Sequence, residues 1–323
     1  MIQKQFHKRH SCRLCENEQL SLVYEFKPSQ PVDGFRPHGH TYLALPKFPM
    51  DLYLCNTCGH LQLLDIVNPE ILYGDYIYTS KSSIDLDDHF TAYAQYLHNK
   101  IDLTSTNILD IGCNDGLFLS KLSHFTSNLF GIDPAPNINK VASSECKIFN
   151  NGYCNSFNIE SILKQANIDS FDIITANNVF AHSDDLNSML QSITTHLKPN
   201  GYFCFEVSYL LDLLESKVID YVYHEHLSYH SIKPLQPFLL KYGLSIIDIQ
   251  RVTTKGGSIR VLAQNNTSLP ANPIINYFIS LEENSQCYDL SSYSELSNYI
   301  YALKSKFTKL LNKYSNNTPV FCY

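Results

Sequence analysis

The sequence predicts an α/β fold built on an open, largely parallel sheet. Two observations carry this reading. Apolar strand-like runs alternate with helical patterns from about residue 107 to 206, and the first of these runs ends in a glycine-punctuated turn. A third observation closes the sheet: Leu244 to Val252 and Ser258 to Ala263, on either side of Gly256-Gly257, read as a final hairpin.

The first strand buries Ile108, Leu109 and Ile111 and runs into Gly112 and Gly116, which let the backbone approach a bulky ligand. A dinucleotide-binding turn would carry G-x-G-x-x-G to seat a pyrophosphate. Here the spacing is G-x-x-x-G, and Asp110, Asn114 and Asp115 offer oxygen acceptors suited to a cationic methionine moiety. The turn resembles the S-adenosylmethionine (SAM) grip of class I, Rossmann-like methyltransferases. The second strand, Leu129 to Asp133, ends in an acid about twenty residues beyond the glycine turn, where a ribose-binding carboxylate belongs. Asp110, Gly112, Asn114, Asp115, Gly116 and Asp133 are therefore the expected cofactor contacts. Asn177, at the end of a fourth strand over Phe171 to Asn178, joins them.

The remaining elements follow in order. A helix with Ile84, Phe90, Tyr93, Ala94 and Leu97 on one face leads into the SAM fold. Ser183 or Asp184 is the expected N-cap of the helix before the fifth strand, which ends at Glu206. Ser231 to Tyr242 forms a helix stopped by Gly243. From Ser292 an amphipathic helix aligns Leu296, Ile300, Leu303, Phe307, Leu310 and Tyr314, and a strand is expected to begin at Pro319. Because parallel sheets continue such a helix-strand unit, the chain is expected to be cut short there.

Ahead of the SAM fold, Cys12 and Cys15 form one C-x-x-C pair and Cys55 and Cys58 another, with Gly59 permitting the tight turn. Four thiolates close a tetrahedral zinc site, so Zn2+ is expected to staple a small module without catalysing. The segment from Pro28 to Pro49 must form an excursion between the pairs. The other six of the ten cysteines have no metal-ligand spacing.

Composition excludes several classes. Hydrophobic residues make up 44% and charged residues 17%, which rules out a disordered chain. The 24 Lys and Arg against 31 Asp and Glu leave a net charge of -7, which discourages nucleic acid or an anionic membrane as partner. Met1 to His10 lacks a signal-peptide core, and no run reaches the eighteen or so apolar residues of a membrane span, so a cytoplasmic protein is expected.

Between the fifth strand and the next helix lies Tyr223-His224-Glu225-His226-Leu227-Ser228-Tyr229. As a metal site it is poor, because a strand would put His224 and His226 on one face and Glu225 on the other. An acid-base site and a hydrogen-bonded structural cluster both remain open.

Taken with the four cysteines, Asp75-Tyr76-Ile77-Tyr78, the glycine turn, Glu206-Val207, Tyr209-Leu210 and Gly256-Gly257-Ser258-Ile259-Arg260, this segment resembles the sugar C-methyltransferases of nucleotide-linked 4-keto-deoxysugars. The resemblance implies His226 as general base, Glu225 and Tyr223 as its partners, and Tyr76 beside them. It also assigns Tyr78, Asn177, His182 and His224 to substrate binding. It implies methylation at C-3, a nucleotide-linked 4-ketosugar as substrate, and a monomer. The expected division is a zinc module over 1–72, a SAM domain over 73–266 and the start of a C-terminal substrate domain over 267–323. An O- or N-methyltransferase, or an inactive SAM-binding remnant, is the alternative.

Overall fold

The computed structural model describes residues 5–32, 46–74, 76, 78–142 and 144–315. Its centre is a seven-stranded sheet: β1 (Ile108–Ile111), β2 (Leu129–Asp133), β3 (Ile148–Asn151), β4 (Phe171–Asn177), β5 (Leu197–Ser208), β6 (Leu244–Val252) and β7 (Ser258–Asn265). The spatial order is β6-β7-β5-β4-β1-β2-β3. The five strands from β5 to β3 are mutually parallel, and the β6-β7 hairpin adds antiparallel to β5. β1 and β2 are buried along their whole length, as strands covered on both faces must be. The order of strands reverses at β1, so the carboxyl ends of β1 and β4 flank a crevice, the place where open α/β sheets bind ligands.

The N-terminal cysteines sit on a second, antiparallel sheet of Leu20–Tyr24, Leu52–Cys55 and Leu61–Leu63. Its fourth strand is Ser228–Tyr229, which pairs Ser228 with Gln62 and Tyr229 with Leu61. Thus the end of the Tyr223–Tyr229 segment is stitched into the cysteine module, far from it in sequence. Leu63 N also donates to Leu227 O at 3.0 Å, and Leu227 N to Ala181 O at 2.9 Å.

Several boundaries move from the sequence expectation. The helix before the SAM fold is Leu86–Lys100, and its buried face is Leu86, Phe90, Tyr93, Ala94 and Leu97. Ile84 lies outside it and is 95% exposed, so Leu86 takes its place in the stripe. The N-cap of helix Leu186–His196 is Asp185, whose carboxylate accepts from Ser188 N, and neither Ser183 nor Asp184 caps it. β3 and the helix Pro273–Asn284 had no clear signature: β3 is three half-covered residues and an exposed one, two of the four being Asn. The last helix is Leu290–Ser315. Leu296 and Ile300 are buried, while Leu303, Phe307, Leu310 and Tyr314 are exposed. Asp75, Ile77, most of the excursion after Pro28 and the strand expected from Pro319 lie outside the described residues. Among the described residues, no helix is long and apolar enough to cross a membrane.

Glu282, on helix Pro273–Asn284, ties that helix to the SAM fold. It is fully buried and accepts from the Tyr209 hydroxyl at 2.9 Å, from Ile232 N at 2.6 Å, from Lys233 N at 3.1 Å and from the Tyr288 hydroxyl. Tyr209 and Ser231 therefore belong to this junction, where the carboxylate satisfies the free N–H groups that open helix Ile232–Lys241.

Candidate functional site

A cavity of about 520 Å³ opens at the carboxyl ends of β1, β2 and β4. Gly112 begins its floor: its φ is +64°, and a Cβ there would meet Val179 Cγ2 at 2.1 Å. Only glycine fits this turn without moving the opposite wall. Asp110 ends β1 against the cavity, taking the Thr175 hydroxyl at 2.6 Å and the Asn177 amide at 3.4 Å on the same oxygen. Burial pushes its carboxyl up to about 7 despite the Thr175 bond. Asp133 ends β2, and its two oxygens accept from Asn114 N and Ala135 N, each at 2.9 Å.

The other expected cofactor residues divide. Asn114 lines the cavity, but its side chain is engaged in holding the segment 78–81: Oδ1 accepts from Ser80 N at 2.9 Å and Nδ2 donates to Tyr78 O at 3.1 Å. Asp115 and Gly116 are not among the lining residues. Asp115 accepts from Lys81 N at 2.7 Å and from Leu117 N at 3.2 Å, so its carboxylate faces the 78–81 strap and the start of the next helix. Gly116 supplies the left-handed turn, φ +77°, that starts helix Leu117–Leu122. The extra acid in the turn thus builds one wall of the site from outside.

The opposite wall carries the titratable cluster. Residues 223–227 form a turn, not a strand, which separates the two histidines. His226 lines the cavity. His224 does not: its Nε2 donates to Phe48 O at 3.2 Å, in the cysteine module, which corrects its placement at the substrate. His226 Nδ1 lies 2.9 Å from Tyr221 O, a carbonyl that only accepts, so Nδ1 carries the proton. Nε2 is then an acceptor, and the Tyr223 hydroxyl donates to it at 2.7 Å. Burial lowers the His226 imidazolium to about 4, with the Lys255 charge adding to the effect. Burial raises the Tyr223 phenol well above its ordinary range. Glu225 is buried beside them and lines the same cavity.

His182 packs at a tilt against the His226 ring, centroids 5.0 Å apart, shares its Nδ1 with the Tyr73 hydroxyl at 3.2 Å, and leaves Nε2 without a hydrogen-bond partner. Asn177 Oδ1 is likewise unpaired. Tyr76 and Tyr78 line the cavity next to Tyr73, with Tyr73 and Tyr76 ring centroids 5.7 Å apart. Two buried polar atoms without partners on the cavity wall are what a polar ligand would complete.

Sequence reasoning missed Gly152, Tyr153 and Cys154, which line the cavity beyond β3, because β3 itself carried no period-two signal. It also missed Lys255, at the tip of the β6-β7 hairpin. The Gly256-Gly257 pair next to it was the available clue. Behind this tip, Glu206 at the end of β5 accepts from Arg260 Nη2 at 2.9 Å, His89 Nε2 at 2.8 Å and the Thr254 hydroxyl at 3.1 Å. Burial pushes the Glu206 carboxyl up, but His89 and Arg260 outweigh it and hold it below the usual range.

The four expected metal-ligand cysteines converge. Their sulfur atoms lie within 4.8 Å of one another, with Cys12 and Cys58 at 3.6 Å and Cys15 and Cys55 at 3.5 Å. Four thiolates at Zn–S distances of about 2.3 Å would stand roughly 3.8 Å apart, so the set fits a tetrahedral Zn2+.

A family described as "Methyltransferase domain" matches residues 87–249, just over half of the chain. The chain belongs to that methyltransferase family. A second family, described as "Putative zinc binding domain", matches residues 12–73 of this methyltransferase. C-methyltransferase NovU from Streptomyces niveus is 26% identical over 254 residues, 78% of this chain and 60% of NovU. The chain thus spans less than two thirds of that relative's length. The ubiquinone biosynthesis O-methyltransferase of Rickettsia canadensis (strain McKiel) is 23% identical over 208 residues, 59% of this chain and 84% of the relative. The magnesium protoporphyrin IX methyltransferase ChlM of Synechocystis PCC 6803, solved with bound SAH, covers 60% of this chain and 90% of its own at 15% identity, with a TM-score of 0.44. The protein is a chain of that methyltransferase family with an α/β fold.

An Asp110 that receives the donor's ammonium has to ionise, and its carboxyl holds its proton up to about 7. SAM affinity measured by calorimetry is therefore expected to weaken below pH 7, by up to about tenfold per unit, with a proton released on binding. In the unliganded chain the same raised value favours the neutral carboxyl. Stability is then lost as pH rises from the ordinary 3.8 through about 7, where the unfolded chain ionises first. Asp110→Asn should flatten both profiles; a wild-type SAM affinity that is level from pH 5.5 to 8 would refute the assignment.

Proposed function

We propose that this methyltransferase acts on carbon: it methylates C-3, next to the ketone of a nucleotide-linked 4-keto-deoxysugar. The observation that carries this reading is the Tyr223 hydroxyl held 2.7 Å from an acceptor His226 Nε2 on the cavity wall. Carbon is a poor nucleophile until an adjacent carbonyl acidifies its proton, so such a substrate and a base are required together. A His226 that stays neutral well below pH 7 is poised to accept. As the substrate proton reaches Tyr223 Oη, the tyrosine's own proton passes to Nε2, and the Tyr221 carbonyl steadies the resulting imidazolium through Nδ1–H. Bound SAM supplies an electrophilic methyl on sulfur. Asp110 and Asp133 are suited to its ammonium and ribose, and Asn177 and His182, with their unpaired atoms, to the sugar.

The likeness to NovU, a C-methyltransferase, supports carbon as acceptor, and the likeness to ubiquinone O-methyltransferases supports oxygen as the rival. Zn2+ at Cys12, Cys15, Cys55 and Cys58, and the division of the chain at about residues 72 and 266, are part of the same proposal.

Incubation of TDP-, GDP- and CDP-linked 4-keto-6-deoxysugars with the protein in D₂O separates the two acceptors. The proposal expects loss of the proton next to the ketone and a methyl mass shift on adding SAM. Methylation without exchange would assign the acceptor to a heteroatom.

A further inference from the structure

We infer that Lys255 is a catalytic residue of this methyltransferase: its ammonium faces the ketone oxygen and stabilises the negative charge that develops there when the neighbouring carbon loses its proton. The inference rests on the proposed carbon methylation and deepens it, because a base alone leaves the enolate oxygen unmatched.

Geometry carries it. Lys255 lines the cavity together with Tyr223, Glu225 and His226, and with Gly112 and Asp110 of the glycine turn. Its Nζ lies 5.3 Å from the Tyr78 ring centroid, and its charge is felt at both His182 and His226. The backbone that presents it is costly for a lysine: φ is 53° and ψ 40°, in the left-handed region that side chains with a Cβ seldom occupy. That conformation is held from both sides. Thr254 is tied through its hydroxyl to Glu206 at 3.1 Å, and Gly257 N donates to Thr254 O at 3.0 Å. Gly256 and Gly257 approach so closely that a Cβ would meet Val218 Cγ1 at 2.7 Å and the Asp212 side chain at 2.3 Å. The hairpin tip is thus locked onto the buried Glu206, Arg260 and His89 network, and among the described residues lining the cavity Lys255 is the one lysine or arginine. Burial lowers the Lys255 ammonium, while Glu206 and Glu225 pull it back up. A partly desolvated cation of this kind interacts strongly with an anion that forms beside it.

The step balances without any further reactant. The C–H bond breaks and its proton moves to Tyr223 Oη as the tyrosine proton passes to His226 Nε2. The C–H electron pair becomes the enolate C=C bond, and the carbonyl π pair moves onto the oxygen beside Lys255. The enolate carbon then takes the sulfonium methyl, the old carbon–sulfur pair stays on sulfur, and the carbonyl reforms.

The test uses the full chain with whichever nucleotide-linked 4-ketosugar exchanges its proton in D₂O. Lys255→Met, close in shape and uncharged, is expected to lower the exchange rate and kcat by about 10²- to 10³-fold, as loss of one preorganised oxyanion partner does elsewhere, with KM and SAM affinity within about threefold of wild type. Lys255→Arg should recover at least about tenfold over Lys255→Met. Lys255→Ala should be rescued by added propylammonium, which a merely structural role would not allow. Exchange by Lys255→Met at the wild-type rate overturns the inference and leaves carbon methylation standing. A raised KM at unchanged kcat would make Lys255 a phosphate anchor, and a weakened SAM affinity at unchanged exchange would make it a donor-carboxylate contact; each overturns it. Absence of exchange by the wild-type protein overturns the carbon-methylation reading and this inference together. Retained SAM binding by calorimetry certifies that each variant is folded.

Discussion

Replacing His226 with alanine is expected to lower methyl transfer by about 10²- to 10⁴-fold, the range that general-base help supplies, while SAM binding stays within a few-fold of wild type. The separation follows from the site's layout. His226 bonds to Tyr221 and Tyr223, whereas the groups proposed for the donor are Asp110 and Gly112, at the end of β1 and just past it, and Asp133 at the end of β2. Because the Tyr223 hydroxyl already occupies Nε2 at 2.7 Å, Tyr223→Phe should be nearly as damaging as His226→Ala. A Tyr223→Phe enzyme of full activity would mean that His226 reaches the substrate without it. The imidazole, lowered to about 4, is deprotonated and able to accept throughout the neutral range. Activity should therefore not fall with a histidine-like midpoint near 6.5, and an acid limb at that value would contradict the buried, neutral base.

Removing metal from the four cysteines, by chelation or by Cys55→Ser, is expected to abolish methyl transfer while SAM affinity changes little. Structural zinc in small modules contributes on the order of 10 kcal/mol to folding, more than a three-stranded sheet of this size can replace. The activity loss follows from the strand pairing: Ser228–Tyr229 is the fourth strand of the cysteine module, and Leu227 O accepts from Leu63 N at 3.0 Å and from buried Arg13 Nη1 at 3.2 Å. When that sheet frays, the turn that holds Tyr223, Glu225 and His226 loses its anchor two residues away. Amide hydrogen exchange over 220–230 should rise together with the loss of activity and of bound metal. A metal-free protein that keeps both activity and protection of this segment would show that the cysteines serve the fold in some other way.

Much of the sheet was legible in the sequence because buried parallel strands are short apolar runs with helices between them. β1, β2, β4, β5 and the closing hairpin stand where their patterns put them. β3 was not legible, since Ile148–Asn151 is an edge strand with two polar residues and no face fully buried. Helix faces were read correctly where periodicity extended over three turns and failed at the ends, as with Ile84 and Asp185, where capping geometry rather than pattern sets the boundary. The site was legible in its residue types but not in its directions. The acidic turn announced a donor site, yet Asp115 turned outward to hold the 78–81 strap. The two histidines of Tyr223–Tyr229 looked equivalent in a strand, and a turn sent His224 to Phe48 and His226 to the cavity.

What the sequence determined by itself was therefore the local chemistry: a glycine turn able to admit a bulky cationic ligand, four thiolates at metal spacing, and a base-bearing segment after the fifth strand. These follow from backbone freedom, ligand count and side-chain type, which neighbours in the chain already specify. Tertiary structure alone decided which of those groups share one space. The fourth strand of the cysteine module comes from residue 228, and Lys255 comes from a hairpin tip. The first was placed by pairing with residues about 170 positions earlier and the second by pairing of the hairpin with β5, about fifty to sixty positions earlier, and no short-range pattern encodes either pairing.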